Sequence, residues 1–144
     1  MANFFDGVIE ETSVKPPIAV LKELGKDLEA ITKGLLVGVV AQGTCDSQFS
    51  FSFYITAPSL NNYSYHVLKI KHDLSFYPLR IVPTDENIFN SDVKESSDLD
   101  EYFKEYRYID VKNQEELEGI LKKIISSSQV KKVINGLLAQ IKST

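Results

Sequence analysis

The stretch Phe49-Ser50-Phe51-Ser52-Phe53-Tyr54-Ile55-Thr56-Ala57 puts Phe49, Phe51, Phe53, Ile55 and Ala57 at every second position, with Ser50, Ser52, Tyr54 and Thr56 between them. Successive side chains of a strand point to opposite faces, so this pattern predicts a β-strand with one face in the core. Such a face is stable only when a second layer covers it. The flanking sequence offers that layer on both sides.

Upstream, Pro16 and Pro17 suit the first turn of a helix, where backbone N–H groups have no intrahelical partner. Ile18, Leu21, Leu24, Leu28 and Ile31 then fall on one stripe, with Lys22, Glu23, Lys26, Asp27, Glu29 and Lys33 opposite, and Gly34 is placed to stop the helix. Leu35 to Ala41 reads as a first strand, and Gly43 to Ser47 as the turn into the second. Downstream, Pro58 to Asn62 is a loop and Tyr63 to Lys71 a third strand. Its alternation slips at Val67 and Leu68, as a bulge or burial on both faces would cause. Phe76 to Val82 reads as a fourth strand at the sheet edge, because Pro78 cannot donate to a ladder.

Pro83 to Ser97 reads as an acidic loop, Ser97 to Glu105 as a short helix with acids at its N-terminal end, and Tyr106 to Val111 as a fifth strand. Asn113 with Glu116 forms a capping-box-like signal for a helix carrying Leu117, Ile120, Leu121, Ile124 and Ile125. Ser126 to Ser128 interrupts it, and Val130, Val133, Ile134, Leu137, Leu138 and Ile141 mark a last helix. The predicted fold is α+β: an N-terminal amphipathic helix, an antiparallel meander of four to five strands, and two C-terminal helices packed on one sheet face. Residues 1–144 read as one domain, with residues 1–15, including Phe4, Phe5, Val8 and Ile9, as an arm packed on it.

Composition agrees, since 144 residues that are 43% hydrophobic and 25% charged suit one domain with one core. Apolar runs fall far short of the roughly 20 residues that cross a bilayer, and the N-terminal residues lack the basic head of a secretory signal. The lone Cys45 cannot form an intramolecular disulfide, so the expected setting is soluble and cytoplasmic.

Charge is distributed unevenly. Twelve acidic residues stand against four basic ones from Asp85 to Glu118, a local charge of −8, while Gly119 to Thr144 carries +5 and the whole chain −4. Nucleic-acid affinity rests on phosphate neutralisation, so this balance argues against a nucleic-acid partner. Tyrosines interleaved with acids suit a surface that selects a basic protein, because aromatics supply contact area and carboxylates supply charge. Asp98, Asp100, Glu101, Tyr102, Glu105 and Tyr106 are the candidate partner-binding residues of a non-catalytic binding module.

Residues with catalytic chemistry are sparse. His66 and His72, on one continuous strand, would stand about 20 Å apart, too far to share an ion. Ser64 and His66, at i and i+2, point to one side but lack an orienting acid. No cysteine or histidine spacing suits a metal, and no glycine pattern suits a nucleotide, so neither metal nor cofactor is expected. A helix followed by a strand meander resembles the opening layout of restriction-endonuclease-type nucleases. That resemblance implies an Asp followed by acid-x-Lys, but Val67 stands where the acid before Lys69 should be, and no acid lies between Phe49 and Ala57. The enzyme alternative, a metal-dependent hydrolase built from scattered acids and His66, requires three such side chains to converge.

Overall fold

The computed structural model describes residues 4–10, 13–45, 47–85 and 108–144. In chain order they form α1 (Pro17–Ile31), β1 (Val37–Cys45), β2 (Gln48–Ala57), a 3-10 turn (Pro58–Leu60), β3 (Tyr63–His72), β4 (Leu79–Pro83), β5 (Ile109–Val111), α2 (Gln114–Ile125) and α3 (Ser128–Ser143). The strands make one antiparallel sheet in the order β1-β2-β3-β4-β5. This is the predicted α+β arrangement. No helix among the described residues is long and apolar enough to cross a membrane.

The alternation in β2 places Phe51, Phe53, Ile55 and Ala57 in the core with Leu68 and Ile70 of β3, Leu79 and Ile81 of β4, and Ile109 and Val111 of β5. Leu21 of α1, Leu117 and Ile124 of α2, and Val130 and Leu137 of α3 join the same cluster, so the three helices form the layer over this face. Phe49 departs from the pattern and stays 38% exposed at the outer end of the strand. At the other end of the chain, Asn113 caps α2 by accepting a hydrogen bond from the Glu116 amide at 2.8 Å, as the sequence signal requires.

The slip in β3 is a bulge. Phe53 pairs with Leu68 and Tyr54 with His66, which leaves Val67 as the extra residue, and both Val67 and Leu68 are buried. One inserted residue reverses the alternation, so His66 lies on the face away from the helices and His72 on the face toward them.

Four further details depart from the sequence reading. Residues 4–10 leave Phe4, Phe5, Val8 and Ile9 65–90% exposed around a turn closed by the Val8 amide on the Phe5 carbonyl, so these four side chains do not enter the core. Four apolar residues around a turn at Gly7 offer no continuous stripe to dock. The buried stripe of α1 runs through Val20, Leu21 and Gly25, and Ile31 is 82% exposed. β1 continues through Cys45, beyond the expected turn at Gly43. Pro78 precedes β4, after a cis Tyr77–Pro78 bond, and β4 is an inner strand between β3 and β5, so proline marks the strand entrance and not a sheet edge. The predicted short helix at 97–105 and most of the acidic loop lie outside the described residues.

Helix α1 approaches β1 closely where glycine meets glycine. A Cβ added to Gly38 of β1 would lie 2.4 Å from the Gly25 Cα of α1 and 2.9 Å from the Phe53 ring. Two residues without side chains thus let α1 lie directly against the backbone of β1.

Candidate functional site

The six partner-binding residues expected from the sequence, Asp98, Asp100, Glu101, Tyr102, Glu105 and Tyr106, lie outside the described residues. Asp110, Glu115, Glu116 and Glu118, which belong to the same acidic block, lie within them. Glu118 sits on α2 at a groove that the sequence did not reveal.

That groove, about 330 Å³ in volume, runs between α1 and α2. Its floor is Val20 and Leu24 of α1 with Leu121 and Ile125 of α2, all members of the core cluster or packed against it. Its rim carries Glu23, Asp27 and Glu118 with the lysine Lys122 among them. The α1 spacing explains this: Val20 and Leu24 face α2, and Glu23 and Asp27, three residues beyond each, edge the same side. Burial, and secondarily the Glu118 carboxylate, hold the Tyr77 phenol above its ordinary value of 10.0. Tyr77 donates to the Lys15 carbonyl at 3.5 Å, and Lys15 pairs with Glu23, so this chain of contacts joins the loop before β4 to the acid rim. The Lys15–Glu23 pair is solvent-exposed enough to add little stability. Sequence spacing placed Glu23 and Asp27 on the polar side of α1, but the pairing of α1 with α2 is a tertiary fact that no local pattern contains.

On the sheet face away from the helices, Tyr54 stacks on His66 at 4.8 Å between centroids. Arg80 lies 4.5 Å from the Tyr108 ring and 3.8 Å from the Asp110 carboxylate. Lys71 is the direct cross-strand neighbour of Arg80. The face therefore mixes cations and aromatics and has no pronounced acidic character among the described residues.

The catalytic candidates separate. Ser64 Oγ and Thr56 Oγ1 share a cross-strand hydrogen bond of 2.8 Å, which commits the serine to a structural contact. His66 and His72 occupy opposite faces of β3. His72 is buried, stacked on Phe49 and Phe51 with the Phe76 ring edge-on, and its Nδ1 lies 2.6 Å from the Asp73 carbonyl oxygen. Among the described residues no group of three or more His, Cys, Asp and Glu is placed to hold a metal ion. The three convergent side chains that a metal-dependent hydrolase needs are not found there.

Desolvation is the main influence on His66 and lowers its pKa from 6.5; Lys69 adds to this, while a backbone hydrogen bond at Leu68 opposes it. A folded-state value below the unfolded one means the unfolded chain binds the extra proton first, so stability rises with pH through this window. His66 should contribute stability that is complete above pH 6.5 and is lost as pH falls through the folded-state value. Urea midpoints compared between about pH 8 and pH 5 should therefore drop further for the wild type than for His66→Phe, which keeps a ring against Tyr54. Equal drops would show that His66 is not the group responsible.

Comparison of the chain with protein-family models, curated proteins and solved structures finds no match.

Proposed function

We propose that the protein is a non-catalytic binding module, acting in the cytoplasm, that engages a basic protein partner. The observation that carries this reading is the α1–α2 groove, whose apolar floor is rimmed by three carboxylates and one lysine. An amphipathic helix laid in such a groove buries apolar side chains on the floor and sets basic residues against the rim. Glu118 closes the acidic block, so Asp98, Asp100, Glu101 and Glu105 add charge of the same sign to the same chain region, and Tyr102 and Tyr106 add contact area. Long-range attraction from these carboxylates steers the partner, and the groove fixes it.

The test uses a lysine-rich amphipathic peptide with leucines at helical spacing and a control with each lysine replaced by glutamate. The lysine peptide should bind, and binding should weaken between about 0.01 M and 0.15 M salt as the Debye length falls from about 30 Å to about 8 Å. Combined Glu23→Lys, Asp27→Lys and Glu118→Lys substitutions should weaken it roughly tenfold or more. Reversal of Asp98, Asp100 and Glu101 to lysine should chiefly slow association. Equal affinity for the two peptides, or indifference to the groove substitutions, would reject the proposal.

A further inference from the structure

The two edges of the sheet differ. β5 is three residues long and carries Asp110, the kind of short, charged edge that resists pairing. β1 is nine residues long, Val-Gly-Val-Val-Ala-Gln-Gly-Thr-Cys, with no charge and no proline. Among the described residues it pairs only with β2, and no backbone hydrogen bond reaches its other side. An unprotected row of N–H and C=O groups is a template for another strand.

We infer that β1 is a self-association edge at which a second copy of this chain pairs antiparallel about a twofold axis. The neutral edge favours a second copy: the chain carries −4 overall, yet nothing along β1 sets like charges against each other. Antiparallel pairing of a strand with itself also satisfies twofold symmetry with one patch, so the interface closes at two copies.

Helix α1 selects the register. At Gly38 it lies directly on the backbone of β1, and strands pair about 4.8 Å apart while packed helices need about 8 to 10 Å. Two copies paired through Gly38 would bring their α1 helices into collision. Ala41, Gln42, Gly43 and Thr44 are exposed, and a Cβ added at Gly43 meets nothing within 4 Å. The permitted register sets Gly43 against its twofold mate, Gln42 against Thr44 and Ala41 against Cys45. The two Gly38 residues then stand about 33 Å apart along the strands, which clears both helices. Pairing is confined to a few residues, so the dimer is weak.

Sedimentation equilibrium of the full chain should give a monomer–dimer equilibrium with Kd between about 1 µM and 1 mM. Gly43→Lys places two cations face to face on the axis and should shift Kd at least tenfold toward monomer, with circular dichroism and melting unchanged. In a Cys45→Ser background, Gly43→Cys should cross-link to dimer on mild oxidation, whereas Lys22→Cys on the outer side of α1 should not. A monomer at 1 mM, a dimer indifferent to Gly43→Lys, or a dimer that Gly43→Cys fails to cross-link would each overturn the inference.

Discussion

Replacing Phe53 by alanine should lower the free energy of unfolding by about 3 to 5 kcal/mol. The ring is 1% exposed at the centre of β2, on the face covered by the helices, and it fills the space beside Gly38. Truncation removes the transfer energy of the ring and leaves a cavity, because packed strands and helices collapse only partly into the gap. Chemical denaturation of Phe53→Ala with an unchanged slope and a lower midpoint is the expected result. A loss below about 1 kcal/mol would mean that this face is not the core.

Gly38→Ala should cost about 3 kcal/mol or more, at the upper end of overpacking effects, because the added methyl meets backbone. At 2.4 Å from the Gly25 Cα and 2.9 Å from the Phe53 ring, it cannot be accommodated unless α1 moves off β1. The ring could turn away, but the Gly25 backbone cannot without displacing the helix. Adding Phe53→Ala to Gly38→Ala should therefore bring no rescue. Recovery of stability in the double variant would locate the clash at the ring and remove the argument for direct helix-on-strand contact.

Elements whose signal is local were legible in the sequence. The period of two in β2 marked its inward face, Asn113 and Glu116 marked the start of α2, and the doubled apolar pair at Val67 and Leu68 marked a slip that either a bulge or burial on both faces would cause. What the sequence hid depended on neighbours. Pro78 suggested an edge, but an omitted N–H matters only inside a ladder, and Pro78 lies outside it. Ile31 matched the apolar period of α1, yet the helix meets the sheet through Gly25, which moves the contact stripe toward Val20 and Leu21.

The candidate site was legible only in charge. The −8 block and the polar side of α1 could be counted, but the groove appears only once α1 and α2 lie side by side on the sheet. The bulge altered the histidine reading as well: distance alone separated His66 from His72, and the inserted Val67 also places them on opposite faces.

The binding proposal is tested most directly by methyl nuclear magnetic resonance of the full chain titrated with the lysine-rich amphipathic peptide. Val20, Leu24, Leu121 and Ile125 line the groove floor and supply reporters from both helices. Their methyl signals should shift most, saturate together, and stop responding when Glu23, Asp27 and Glu118 are reversed to lysine. Shifts centred on Leu60, Val133 and Leu137 beside α3, on Val39 and Val82 across the sheet, or on no methyl at all at peptide saturation would contradict it.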